Sequence, residues 1–286
     1  MFFFQLLSKL PFFVLYRIAD VLYVLVYYVI GYRKKVVFQN LSNSFPEKSD
    51  AEIRKITKGF YKNFADVFVD TIKLLSVDKK DLEKWIIVEG GEIVENYYKS
   101  GDVILIMSNH LASWELIPHR TAQYGIPCDV VYKQLSNPFF EKLMFTLRSR
   151  FGTKPIKMQH IFRDMVKRKG EARIVGIISD QAAESPDTAY WATFLHQETD
   201  FFMGTEKMAR SFNYPVVYAE LIRISRGKYC LRFSELVQRP YTNIPMGNIT
   251  ETYIRALEKS IQANPSDWLW SHRRFKHKRK SLMMNE

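Results

Sequence analysis

His110 and Glu115 are the two side chains whose types and spacing suit proton transfer, within the run Val103-Ile-Leu-Ile-Met-Ser-Asn-His-Leu-Ala-Ser-Trp-Glu115. A carboxylate against one imidazole nitrogen fixes the tautomer and stabilises the imidazolium, leaving the other nitrogen to take a proton from a substrate hydroxyl. His110 is thus the candidate general base and Glu115 its candidate orienting partner. On a continuous helix, five residues would separate the two side chains by about 140°. The pair can meet only if His110 lies in a turn and Glu115 in the first turns of the helix that follows. Otherwise the residues are a helix cap and a solvated acid near a helix N-terminus.

The elements around them must supply that turn. Residues 103–107 are consecutive apolar residues, bounded by Gly101-Asp102 and Ser108-Asn109, which suits a strand buried on both faces of a parallel sheet. His110 then leaves the carboxyl end of that strand, the edge at which open α/β sheets bind ligands. The helix after it is predicted to run to Tyr124, ended by Gly125-Ile-Pro127. Strands are predicted at 86–88, 128–132 and 173–179. Helices are predicted at 92–99 and 138–150, the latter entered by Asn137-Pro138. Strands at 215–224 and 228–233 flank a turn at Arg226-Gly227, and 250–263 reads as a closing helix. This alternation predicts an α/β fold with a mainly parallel central sheet flanked by helices. The strand ending in Asp180-Gln181 is expected beside the one ending at His110. Residues 189–202 are aromatic and irregular, and Gly204-Thr205 opens a helix through Phe212.

Upstream, Ser49-Asp50-Ala-Glu52 is a start signal for an amphipathic helix whose apolar row includes Ile53, Phe60, Phe64, Val67, Phe68 and Ile72. Residues 2–30 are largely Phe, Leu, Val, Ile and Tyr, interrupted by Lys9, Arg17 and Asp20 and followed by Arg33-Lys34-Lys35. The expected organisation is an N-terminal hydrophobic anchor helix over 1–32 and a catalytic domain over 33–286. Arg17 and Asp20, spaced i, i+3, are expected to pair, and the anchor to be tilted or only partly inserted. The basic cluster would hold the following domain on the cytoplasmic side.

With 286 residues and 47% apolar content, the chain can bury a sizeable core. Its net charge of +12 favours an anionic partner such as a phospholipid surface, a phosphorylated acceptor or an acidic carrier protein. The two cysteines, Cys128 and Cys230, make no disulfide framework and have no metal-ligand spacing. There is no G-x-S-x-G elbow, no Walker A sequence, no G-x-G-x-x-G and no H-E-x-x-H. Ser108 and Ser113 flank His110 and are the available hydroxyl nucleophiles.

Asn109-His110, four residues and Glu115 resemble the first motif of the glycerophospholipid acyltransferase superfamily, whose acidic residue is usually Asp. Glu in that place joins Asp180-Gln181, Thr193-Phe-Leu, Phe201-Phe-Met-Gly-Thr-Glu-Lys-Met-Ala209 and Trp268-Leu-Trp-Ser-His-Arg-Arg-Phe-Lys276. Together they make most of the chain similar to the lipid A late acyltransferase branch, the lauroyl and myristoyl acyltransferase type. The resemblance implies direct attack of a lipid hydroxyl on an acyl thioester, with His110 as base, Glu115 as its partner and the helix N-terminus after His110 facing the oxyanion. It carries an acceptor-binding basic residue to Arg148 first and Arg150 second. Asp180 and Gln181 are expected to shape the acceptor site, and Gly204 and Thr205 to contact substrate.

The resemblance further implies an acyltransferase domain over 33–286 without metal or cofactor. The co-substrate is then an acyl-carrier-protein or coenzyme A thioester, and the acceptor a phosphorylated glucosamine lipid at the cytoplasmic face of a bacterial inner membrane. His196 stands where the branch commonly has Gly. The terminal tryptophans, with the cations of residues 272–280, suit a lipid interface. The rival acceptors are a lysophospholipid or an aminolipid. No nucleic acid is expected as a partner of such an acyltransferase. The reading from another class is a non-catalytic, membrane-tethered protein whose basic tail binds anionic lipid or nucleic acid.

Overall fold

The computed structural model describes residues 1–279; the end of the basic run, Lys280, and the residues after it lie outside that range. Two helices open the chain, α1 (Phe2–Ser8) and α2 (Phe12–Val24), separated at Pro11, with α2 prolonged by a π-helical turn over Leu25–Ile30. The expected single anchor is therefore two helices, because proline cannot donate the backbone hydrogen bond that a continuous helix needs there. Helix α3 covers Lys34–Ser44. Helix α4 (Asp50–Lys73) starts at Ser49 in a reciprocal capping box with Glu52. Phe68, counted on the apolar row of α4, is exposed. The stripe facing α2 is carried instead by Ala65 and Val69, which pack with Leu15 and Ala19.

The remaining elements are α5 (Lys79–Trp85), β1 (Ile86–Glu89), α6 (Gly91–Lys99), β2 (Val103–Ser108), α7 (Leu116–Thr121), β3 (Cys128–Tyr132), α8 (Pro138–Arg148), β4 (Lys154–Lys157) and α9 (Ile161–Lys167). There follow β5 (Arg173–Ile178), β6 (Tyr190–Phe194), β7 (Gln197–Phe201), α10 (Gly204–Phe212), β8 (Val216–Ser225), β9 (Lys228–Val237) and α11 (Asn248–Ala263). Among the described residues the main sheet has seven strands in the order β1-β9-β8-β2-β5-β3-β4. All neighbours pair in parallel except β8 with β9, the hairpin read from Arg226-Gly227. The expected mainly parallel α/β sheet is what the chain forms. Strand β2 lies at its centre with every residue buried, which its unbroken apolar run requires.

Two local expectations differ. Residues 189–202, read as irregular, form the antiparallel hairpin β6–β7, turning at Leu195 and His196 with φ of 47° and 63°. A left-handed turn suits glycine best; His196 takes that conformation on the exposed tip. The helix after His110 does not begin at once. Residues 110–115 form a turn with Ala112 at φ 48°, and α7 starts only at Leu116 with Glu115 as its N-cap. This turn is pinned to the chain's end by a bridge between Leu111 and Trp268 and by the Ala112 amide, which donates to Asp267.

The two tryptophans of the terminal motif are interior rather than interfacial, while Arg273, Lys276, Lys278 and Arg279 are exposed. Trp268, Trp270 and Arg274 are buried in the protein. The Arg274 guanidinium donates to Thr199 Oγ1 and the Asp200 carbonyl and lies over the Phe201 ring. The hairpin β6–β7 supplies partners for Arg274 and the core supplies room for the indoles. Burying each large apolar side chain contributes about 1.5–3 kcal/mol, so the expected placement at a lipid interface gives way to core packing.

Candidate active site at the carboxyl ends of β2 and β5

Strands β2 and β5 pair in register from Val103 with Arg173 to Ser108 with Ile178. Two residues beyond each end stand His110 and Asp180, so the pairing alone brings them together. The His110 Nδ1 lies 2.7 Å from Asp180 Oδ1, and the His110 backbone amide donates to Oδ2 at 2.8 Å. The Trp268 indole N–H donates to the same Oδ2 at 2.8 Å. With a carboxylate at Nδ1, that nitrogen carries the ring proton and Nε2 is left as the basic site. Nε2 points to the exposed side, where the amide nitrogen of Gln181 is 3.4 Å away.

This corrects the expected dyad: the carboxylate hydrogen-bonded to His110 is Asp180. Glu115 instead receives both faces of the Arg148 fork, Nε to Oε2 at 2.9 Å and Nη2 to Oε1 at 2.5 Å. A bidentate guanidinium offers two charge-assisted bonds where an imidazole offers one. The left-handed turn at Ala112 sets Glu115 at the start of α7, beside the end of α8 that carries Arg148.

Both carboxyl groups are buried, which by itself would push them up. Arg148 nevertheless holds Glu115 below the ordinary carboxylate range. Burial is likewise outweighed at Asp180 by the His110 charge and the hydrogen bonds from His110 and Trp268, and it too sits low. Both are anionic at neutral pH.

The remaining contacts fix the turn. Asn109, fully buried, donates to the Tyr218 hydroxyl at 2.7 Å and accepts from the Leu111 amide at 3.1 Å. Tyr253 donates to the Ser108 carbonyl at 2.8 Å. The Trp114 ring meets the His110 ring edge to face, with centroids 4.9 Å apart. Ser113 is buried with its hydroxyl on Asp70 at 2.5 Å and 3.0 Å from the Tyr229 hydroxyl, so it braces the loop and is not placed as a nucleophile.

The helix N-terminus expected to face an oxyanion is not available. Helix α7 is a short element entered by an acidic residue, and its Leu116 and Ile117 amides already donate to Ser113 and Trp114. The amides of His110, Leu111 and Ala112 are also taken.

The other predicted site residues separate into those that join this cluster and those that do not. Gln181 joins it; Arg148 stands beside it through Glu115. Arg150 donates to the carbonyls of Leu74 and Val77, tying down the chain after α4. Gly204 and Thr205 do open α10, as read, but Thr205 is fully buried, and among the described residues no hydrogen bond joins either to His110. The acid after them, Glu206, binds the Gly247 and Thr250 amides and the Thr250 hydroxyl, so this start of α10 holds the start of α11.

Trp268 was legible as a motif residue but not as a ligand of Asp180. The clue available was that 173–178 matches 103–108 in length and each strand is followed by a polar pair, Asn109-His110 and Ser179-Asp180. Of the other histidines, burial lowers His119 and His272 to about 4. Among the described residues no group of three or more His, Cys, Asp or Glu side chains is arranged to hold a metal ion.

Comparison with known proteins places the chain in a family. A model described as bacterial lipid A biosynthesis acyltransferase matches residues 1–277. The chain is 25% identical to a lipid A biosynthesis lauroyltransferase of Escherichia coli (strain K12) over 279 residues, covering 95% of this chain and 88% of the relative. It is 23% identical to a lipid A biosynthesis palmitoleoyltransferase of the same strain over 248 residues, 85% of this chain and 79% of the relative. The same figures apply to a lipid A biosynthesis acyltransferase of Shigella flexneri.

Proposed function

The chain belongs to the bacterial lipid A biosynthesis acyltransferase family and is an acyltransferase, and from that premise we propose how it works. It moves a fatty acyl chain from an acyl-carrier-protein or coenzyme A thioester to a hydroxyl of a lipid A precursor, at the cytoplasmic face of a bacterial inner membrane. The observation that carries the mechanism is the imidazole of His110, clamped at Nδ1 by Asp180, with Nε2 on the exposed side and met there by Gln181 at 3.4 Å.

In this mechanism Nε2 takes the proton of the acceptor hydroxyl as its oxygen attacks the thioester carbonyl carbon. Asp180 stabilises the imidazolium that forms. The tetrahedral intermediate collapses with cleavage of the carbon–sulfur bond, and the imidazolium returns the proton to the departing thiolate. Gln181, beside Nε2, holds the acceptor hydroxyl. Arg148, held by Glu115 in a bidentate pair, fixes the end of α8 against the start of α7 beside the site. The thioester is the co-substrate, and the chemistry calls for no resident cofactor or metal.

Membrane association rests on the N-terminal helices. Residues Phe12–Ile30 form a helix long and apolar enough to cross a membrane. One face exposes Phe13, Val21, Val24 and Val29, and α1 exposes Phe2 and Phe3. The other face is bonded to the protein body: Tyr16 donates to Asp70 at 2.8 Å and Asp20 pairs with Arg226 at 2.9 Å, while Arg17, exposed on the same helix, lies 3.7 Å from Asp20. A helix tied down along one side and apolar along the other lies in the membrane surface. Net charge agrees with anionic lipid and with an acidic carrier.

The test is mass spectrometry of lipids after wild type and His110→Ala are incubated with acyl-carrier thioester and, in separate arms, lipid A precursor, lysophospholipid and aminolipid. The precursor should gain one acyl mass, and the variant should lose about 10²–10⁴ of the rate while its circular dichroism and melting stay those of the folded protein. Equal rates in the two proteins, or acylation confined to the other acceptors, would overturn the reading.

A further inference from the structure

Beside the His110 cluster a narrow slot of about 50 Å³ opens between the sheet and α7. Its volume is far below the roughly 300–1,000 Å³ of sites that enclose whole small molecules. Its walls are largely aliphatic, with Trp114 and the paired Glu115 and Arg148 also among the lining residues. Trp114 is the residue in ring contact with His110, and Ser108 and Ile178, the last residues of β2 and β5, also line the slot. The space therefore runs along one face of the sheet from the strand ends after which His110 and Asp180 stand.

Strand register shows what keeps it open. Val130, Gly176 and Ile106 stand side by side on three adjacent strands, so the middle position of that row lacks a side chain. Glycine weakens a strand interior relative to alanine, and glycine there often marks close approach of another group. Its backbone is ordinary extended strand, and a Cβ built on it would meet only the Asp129 carbonyl, at 3.7 Å. Neither turn geometry nor crowding calls for glycine at this place. Gly176, Val130 and Ile178 also keep part of their surface accessible although β5 lies inside the sheet. Ile174 and Cys128, in register one step further from His110, are buried and close the far end. From Ile178 to Ile174 is four residues, about 13 Å at ~3.3 Å per residue.

We propose that this slot receives the tail of the acyl group and that Gly176, by leaving the middle of its floor empty, sets which chain lengths are accepted. The inference rests on the acyl-transfer reading and adds to it the subsite and a residue that determines specificity. An aliphatic tail fits because the walls exclude hydrated groups, and because the carbonyl of the same acyl group has to lie at His110. A side chain at position 176 would divide the slot halfway along. Shorter tails would still be seated; longer ones would lose the space for their terminal methylenes.

The experiment is a competition between octanoyl, dodecanoyl and hexadecanoyl carrier thioesters, read by mass spectrometry of the acylated acceptor, for wild type, Gly176→Ala and Gly176→Leu. One methylene in an apolar pocket changes discrimination by about tenfold or more. The ratio of hexadecanoyl to octanoyl product should thus fall about tenfold in Gly176→Ala and further in Gly176→Leu. If the leucine variant fails to fold, the alanine variant decides, since its Cβ meets no close neighbour. An unchanged ratio in Gly176→Ala, with wild type active, overturns the slot assignment and leaves the acyl-transfer reading intact. Absence of transfer by wild type with every donor overturns that reading itself.

Discussion

Two buried carboxylates stand at the same edge of the sheet, each hydrogen-bonded to a nitrogen-bearing side chain, and they do different work. Asp180 meets an imidazole whose second nitrogen faces out, while Glu115 meets a guanidinium that stays protonated. Both acids are held below their usual range. The difference lies in the partner. Histidine can give and take a proton near neutrality, whereas arginine gives only position and charge. The Asp180 pair is thus suited to chemistry and the Glu115 pair to architecture, although the Glu115 position is the one that the sequence motif emphasises.

The largest effect expected within this comparison is that of Asp180→Asn. The amide keeps the shape but removes the charge that stabilises the imidazolium, so kcat should fall about 10²- to 10⁴-fold with little change in KM. A KM effect alone would break the comparison, since it would make Asp180 a binding residue.

Glu115→Ala should act first on stability. It leaves Arg148 buried and unpaired, and breaking one side of such a pair costs about 3–5 kcal/mol, measurable by urea unfolding. The double variant Glu115→Ala/Arg148→Ala should recover part of that loss, because no charge is stranded. The pH dependence has a definite sign. Glu115 is lowered in the folded protein, so its contribution is complete above the unfolded value of about 4.3 and is lost as pH falls through the folded value. The gap in stability between wild type and the double variant should therefore shrink on acidification below pH ~4. A Glu115→Gln protein as stable as wild type but as inactive as Asp180→Asn would reverse the two roles.

The smallest effect is expected for Trp268→Phe. The ring stays in the core while one of the three donors to Asp180 is lost. A hydrogen bond to a charged group contributes about 1.5–3 kcal/mol, and part of that should emerge as a fall in kcat of about tenfold or less. Melting should change little. A loss as large as that of Asp180→Asn would make the indole, rather than the imidazole, the main support of the carboxylate.

Much of the fold was legible. The apolar run of β2, the capping box of Ser49 and Glu52, the Asn137-Pro138 entry to α8 and the β8–β9 hairpin are local patterns, and each is where the residues put it. The site was legible only in its parts. His110, Asp180, Gln181 and Trp268 were all marked, but the pairing of His110 was assigned by nearness in sequence, to an acid five positions on. The structure pairs it across 70 positions. A similar contrast separates the two ends of the chain. Both are rich in aromatic and basic residues, yet α2 exposes an apolar face whereas Trp268, Trp270 and Arg274 are interior.

By itself, then, the sequence determined most strands of the main sheet, the capped starts of α4 and α8 and the placement of His110 and Asp180 just beyond two strand ends, because hydrophobic period and capping act over a few residues. Tertiary structure decided which carboxylate the imidazole meets, which acid Arg148 takes and whether an aromatic segment is buried, as at Trp268 and Trp270, or exposed, as along α2. Those outcomes depend on strand register and on the approach of α8 and the terminal segment to the sheet. Such contacts bring together residues far apart in the chain, and the spacing within any one segment does not encode them.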